Sequence, residues 1–371
     1  MKIRPFELER YFARYEFSTP WLLCSSDCES MTVGDLLAFE PGAQERFSSL
    51  WLGYTESLGH PDLRQAITSL YEHIAADQVL VHAGAEEAIF TFMNVALESG
   101  DQIIVHAPYY QSLGEVARSI GVRVTEWPGD PAGNWELDIE TLKRSITDQT
   151  RVVVINVPHN PTGFVPTQAF LQELSALSER YGFIVFSDEV YRGLEHRCTT
   201  LPAFADINPR AVSLGVLSKT YGLPGLRIGW IATRNEALYH DIAAFKDYTT
   251  ICSSAPAEFL ATLALRHRKP IVERNLGIIR DNLDLLDAFF GSHSNLFRWQ
   301  RPKAGPIAFP TLLEGSVAEF CDDLVRKAGV LLLPGSLYGP LYNSFRIGFG
   351  RKNLPDALAR LKKHLETASE D

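Results

Sequence analysis

The chain has 371 residues, 46% of them hydrophobic and 22% charged, ordinary values for a globular protein with room for one large and one small domain. A formal net charge of −10, with no basic run against it, excludes nucleic acid and anionic membranes as expected partners. No stretch approaches the ~20 apolar residues of a membrane span, residues 1–10 lack a signal peptide's apolar core, and five scattered cysteines fit a reduced, cytoplasmic protein without a zinc site.

The first forty residues are polar, with acids at Glu7, Glu9, Asp27 and Glu29; they read as an arm belonging to a small domain. A helix is expected over 62–76, a strand over 79–82, a helix over 86–98, and strands over 102–106 and 122–125. Then come a helix over 138–146, a strand over 151–156 and a helix over 167–181 with Thr167 as its N-cap. Strands over 183–187, 211–215 and 228–232 complete the series. Several are continuous apolar runs, the pattern of strands covered on both faces. The alternation predicts an α/β fold with a mostly parallel, doubly wound sheet, its ligands beyond the carboxyl ends of the strands. After residue 250 long helices take over, over 255–268 and 271–290. The expected division is an arm over 1–40, a large domain over 41–255 and a small domain over 256–371.

Four segments at strand ends carry candidate chemistry. Val157-Pro158-His159-Asn160-Pro161-Thr162-Gly163 reads, taken alone, as a tight turn. Ser187-Asp188-Glu189-Val190-Tyr191 places an acid where it either caps a helix or reaches a ligand. Leu217-Ser218-Lys219-Thr220-Tyr221-Gly222-Leu223-Pro224-Gly225-Leu226-Arg227 brings a hydroxyl and two cations into one loop, a setting for phosphate. Ser344-Phe345-Arg346-Ile347-Gly348 offers an arginine that either covers apolar surface or clamps a carboxylate. In His82-Ala83-Gly84-Ala85-Glu86, a strand gives way to a helix whose first amides can cradle an anion.

In this order and spacing, the segments resemble the class I/II aminotransferase superfamily, the fold-type I enzymes that use pyridoxal 5′-phosphate (PLP), over essentially the whole chain. The resemblance implies a seven-stranded large-domain sheet, a smaller α/β domain built from both termini, and a Schiff base between Lys219 and the cofactor. It implies that Asp188 pairs with the pyridine nitrogen and that Asn160 and Tyr191 bind the phenolic oxygen. Ser218, Arg227, Gly84, Ala85 and Glu86 would hold the phosphate, Tyr110 would stack on the ring, and Arg346 would grip the substrate carboxylate. Tyr54 resembles the tyrosine that reaches a neighbouring subunit's phosphate, implying a homodimer with shared active sites.

Where many transaminases are Gly-rich near the N-terminus, residues 22–30 here are polar. That segment, with Pro158-His159-Asn160-Pro161 and Lys246-Asp247-Tyr248-Thr249-Thr250, resembles a narrower group, the capreomycidine synthase-like enzymes and related cyclases that build enduracididine-type rings from hydroxylated arginine. The resemblance implies a carboxylate for the guanidinium, Glu9 first and Asp27 or Glu29 next, with Ser25 orienting a hydroxyl or relaying a proton. An ordinary aminotransferase shares every cofactor residue and stays open as the alternative. A transcription regulator with this fold is set aside because no DNA-binding module is apparent.

Overall fold

The computed structural model describes residues 2–368. Its centre is a seven-stranded sheet: β1 (Val79–His82), β2 (Gln102–Ala107), β3 (Arg123–Pro128), β4 (Thr150–Asn156), β5 (Ile184–Asp188), β6 (Val212–Val216) and β7 (Gly229–Thr233). Their spatial order is β1-β7-β6-β5-β4-β2-β3. All neighbours pair parallel except where β7 is involved, which runs antiparallel to both β1 and β6. The expected strands all form, with ends shifted by at most three residues. Val152, Val153, Val154 and Ile155 are all buried, so helices cover both faces, and each such side chain contributes roughly 1.5–3 kcal/mol by leaving water.

Parallel pairing puts the functional strand ends on one edge. Asn156 lies opposite Asp188 in the β4–β5 register, and the Ser218–Lys219 loop follows β6 directly. The helix over Gln168–Tyr181 starts as expected, the Thr167 side chain accepting from the Phe170 amide at 3.2 Å. The expected helix over 62–76 stops at Thr68. Beyond it tertiary partners claim the backbone: Asp206 accepts from the Glu72 and His73 amides, and Arg192 donates to the Leu70 carbonyl. Those bonds compete successfully with helix continuation.

The N-terminal arm joins the C-terminal part of the chain. Trp21–Leu22 pairs in parallel with Val330–Leu331, and Phe345–Gly348 pairs antiparallel with Ile307–Ala308 and Leu333–Pro334. The helix Ala255–Arg266 packs with Val79 and Val81 of β1, on the sheet side. The long helix Arg268–Ser292 follows it. Among the described residues no helix is long and apolar enough to cross a membrane.

Candidate active site

A cavity of about 510 Å³ opens at the carboxyl ends of β4, β5 and β6. Asp188, Tyr191, Asn160, Ser218, Lys219, Arg227, Ala85, Glu86, Tyr110 and Glu9, all expected from sequence, line it. Six stretches far apart in the chain thus meet at one edge of the sheet.

At one end the helix α1 (Ala85–Ala96) presents its N-terminus, where the first amides have no partner within the helix. Its N-cap, Gly84, has φ +87°, and a Cβ there would stand 2.5 Å from Arg227 Nη2. The guanidinium therefore lies directly on the glycine. Arg227 itself is left-handed, φ 51°, a conformation unusual for a long side chain and typical of functional loops. Ser218 lines the same end. Amides, a helix dipole and a cation converge there, which is what a phosphate needs.

In the middle Asp188 is 6% exposed, and burial pushes its carboxyl up to about 7, against the lowering effects of the Val190 amide and Lys219. Its side chain accepts from the Val190 N–H at 3.2 Å but has no salt bridge with any described cation. A buried acid left so awaits a cationic partner. Across the cavity Lys219 Nζ donates to Ser26 Oγ at 2.8 Å. Desolvation draws the ammonium below its ordinary value, with Asp27 pulling the other way. The Tyr191 hydroxyl is buried with no well-formed hydrogen bond; burial raises its pKa, and the nearby Arg346 and Ser26 hydroxyl oppose the rise.

These features fit a phosphorylated pyridine aldehyde: an anion cradle, a lone buried acid for a ring nitrogen, an orphaned phenol and a half-buried amine. Tyr110 supplies a ring wall, backed by Phe6 at a centroid distance of 5.0 Å.

Arg346 is 2% exposed and, among the described residues, forms no salt bridge. It donates to the Cys24 carbonyl and the Tyr338 hydroxyl, both at 3.0 Å, and more weakly to Asn160 Oδ1 at 3.4 Å. Tyr338 in turn donates to Asn160 Oδ1 at 3.1 Å. Neutral partners fix the guanidinium but leave its charge uncompensated, as suits a carboxylate clamp.

Three expected residues of the N-terminal arm, Ser25, Asp27 and Glu29, lie outside this lining. Ser25 does not line the cavity; its neighbour Ser26 does. Beyond the strand Trp21–Leu22 the chain docks beside Phe345–Gly348, Gly348 donating to the Leu23 carbonyl at 2.9 Å, and bends at Asp27. Asp27 is also absent from the lining, because Arg351 holds it through two bonds of 2.9 and 2.8 Å. Glu29 likewise turns away, accepting from the Lys352 amide. Glu16 was missed, and it lines the cavity; burial raises its pKa, with Arg351 opposing. Glu86 keeps accessible surface yet faces the cavity, and desolvation pushes it up to about 7. Asn156 was missed too. It donates to the Asp188 carbonyl and accepts from the Asn160 amide at 2.6 Å, locking the two motifs together. Tyr54 lies outside the cavity lining and is 87% exposed, beside Trp51 and Leu52 at 80% and 76%.

The sequence profile described as aminotransferase class I and II matches residues 23–361. Capreomycidine synthase of Streptomyces vinaceus is 30% identical over 366 residues, 97% of this chain and 92% of that protein. A probable aspartate aminotransferase of Methanocaldococcus jannaschii is 26% identical, covering 93% and 95% of the two chains. Among solved structures, a PLP-dependent aminotransferase from Streptococcus suis 89-1591 superposes with a TM-score of 0.93 at 29% identity, covering 99% of both chains. The PLP-dependent cyclase OrfR superposes with a TM-score of 0.91, also at 29% identity, covering 99% and 98%.

Proposed function

The chain belongs to the class I and II aminotransferase family, enzymes that work through pyridoxal phosphate, and from that premise we propose that it dehydrates and cyclises a hydroxylated, arginine-like amino acid. One observation carries the reading. Glu9, Glu16 and Glu86 stand on the wall of the cavity that holds Lys219, and among the described residues no salt bridge engages any of them. A guanidinium offers a planar, two-pronged match to such carboxylates. The side-chain carboxylate of aspartate or glutamate would instead meet like charge, at about 1–4 kcal/mol per pair near 4 Å in water-like to protein-like surroundings. The names of the capreomycidine synthase relative and the cyclase OrfR agree with this reading. Ordinary transamination is the second reading, favoured by the aspartate aminotransferase relative.

Bound pyridoxal phosphate supplies the electron sink that acidifies the substrate's α-hydrogen. In this assignment Asp188 holds the proton of the ring nitrogen, Asn160 and Tyr191 hydrogen-bond the phenolic oxygen, and Tyr110 covers the ring. Gly84, Ala85 and Glu86 amides, Ser218 and Arg227 hold the phosphate. Arg346 fixes the α-carboxylate, and Lys219 Nζ takes the α-proton while Ser26 steadies it. Glu9 and Glu16 hold the guanidinium close to the carbon that loses its hydroxyl, so proximity supplies much of the acceleration. The hydroxyl leaves as water with one proton, a guanidine nitrogen forms the new C–N bond and gives up one proton, and the α-carbon regains a proton from Lys219, so the net loss is one water and no oxidant is required. Tyr54, with the exposed Trp51 and Leu52, would complete a phosphate site in a second copy, making the protein a homodimer.

The deciding experiment supplies a hydroxylated arginine without any oxo acid. Repeated turnovers to a product lighter by one water are expected. A single equivalent of oxo acid, with turnover resuming only when a 2-oxo acid acceptor is added, would establish transamination and remove the cyclase reading.

A further inference from the structure

A second cavity, about 610 Å³, lies behind the lysine loop and shares Val190 and Val216 as a common wall with the first. Its apolar lining includes Leu70, Tyr71, Val216, Trp230 and Val272. Trp230 is 2% exposed, and its indole covers Gly215 so closely that a Cβ there would sit 2.3 Å from the ring. The indole Nε1 donates to the Tyr71 hydroxyl at 2.8 Å, which locks the ring in place.

The rim carries Arg192, Arg268 and Lys269 against a single open acid, Glu273. Glu189 also lines the cavity, but the Phe204 amide and the Ser213 hydroxyl each donate to it at 2.7 Å. The two arginines bond only carbonyls: Arg192 those of Leu70 and Leu201, Arg268 those of Ser69 and Leu265. Among the described residues neither forms a salt bridge. A net-positive mouth in a chain of charge −10 selects for anions, and the volume suits a small organic molecule.

We propose that this cavity binds a small aromatic carboxylate, its ring among the half-buried Leu70, Tyr71 and Val272 and its carboxylate between Arg192 and Arg268, and that occupancy is felt at Lys219. The connection is short. Thr220, next to the lysine, donates through Oγ1 to the Arg192 and Val190 carbonyls at 3.1 Å, and its own carbonyl accepts from Asn275 at 3.0 Å. A ligand that draws Arg192 toward itself therefore pulls on the loop carrying the amine. The site is independent of which reaction the first cavity performs.

The test titrates the PLP-loaded enzyme with 3-phenylpropionate by calorimetry, with the neutral 3-phenylpropionamide as control. Saturable binding of the acid is expected, roughly tenfold weaker for the amide and for Arg268→Gln, the loss of one charge-assisted hydrogen bond. Binding should survive Arg346→Gln and disappear in Val272→Trp, which fills the cavity; Thr200→Trp blocks the mouth if that variant fails to fold. The visible absorbance of the lysine-bound cofactor should shift on saturation. No saturable binding, equal binding of the amide, or loss with Arg346→Gln but not with the filling variants would overturn the site. Binding without any spectral response would overturn the coupling.

Discussion

Replacing Asp188 by Asn should stabilise the cofactor-free protein while weakening its hold on the cofactor. Asn keeps the shape and can still accept from the Val190 amide, so what changes is the charge. In the unfolded chain the carboxyl ionises near pH 4; in the folded protein burial holds it at about 7. Between those values the folded state keeps a proton that the unfolded state has released. Stability therefore falls as pH rises through this window and stays reduced above it. The difference corresponds to up to about 4 kcal/mol at pH 8, an upper bound for a group that relaxation and water can relieve. Glu86, also pushed up to about 7, adds a background slope, so the quantity to measure is wild type against variant. Denaturant unfolding of cofactor-free protein at pH 5 and pH 8 should show the variant clearly more stable at pH 8 and nearly equal at pH 5. With PLP bound the ranking should reverse, because the pyridine nitrogen then gives Asp188 the partner it lacks. A difference that does not change with pH, or a variant less stable at pH 8 without cofactor, would refute the reasoning.

Lys219→Ala should fold and bind PLP through its phosphate, yet lose the visible absorbance of the lysine-bound cofactor and all turnover; spectra before and after borohydride treatment decide. Glu9→Gln and Glu16→Gln should each raise KM for a guanidino substrate about ten- to a hundredfold, the worth of a charge-assisted hydrogen bond, and leave neutral amino acids nearly unaffected. Equal losses on both substrates would make these acids structural. Gly84→Ala forces a side chain into a backbone conformation that costs roughly 1–3 kcal/mol and displaces Arg227. Its dissociation constant for PLP, measured by fluorescence titration, should rise about tenfold, the loss of one charged contact to the phosphate. An unchanged constant would remove Arg227 from the cradle.

The strands and the cofactor motifs were legible because their cause is local. Apolar runs such as Val152–Ile155 report double-faced burial, and Asp188 and Lys219 stand at or just after strand ends, where parallel pairing delivers them to one edge. What the sequence hid depends on long-range partners or on which way a docked segment faces. The choice between Ser25 and Ser26 depends on how residues 23–28 dock beside Phe345–Gly348. The fate of Asp27 is decided by Arg351, 324 positions away, and that of residues 69–73 by Asp206 and Arg192. Glu16 was passed over because it follows a short helix with no motif around it. Only the docking of that helix turns it toward the cavity.

That same docking has a consequence for how the molecule divides its labour. The segment over 2–16 lies against the large domain through the Arg4–Glu115 pair, the Gln111 contacts to Pro5 and Glu7, and the Phe6–Tyr110 rings. It brings Glu9 and Glu16 and none of the groups assigned to the cofactor. In the proposed assignment the two arm acids that read the guanidinium ride on a short docked segment, so exchanging these fifteen residues while keeping Tyr110 and the other docking partners would refit the lock and leave the engine untouched.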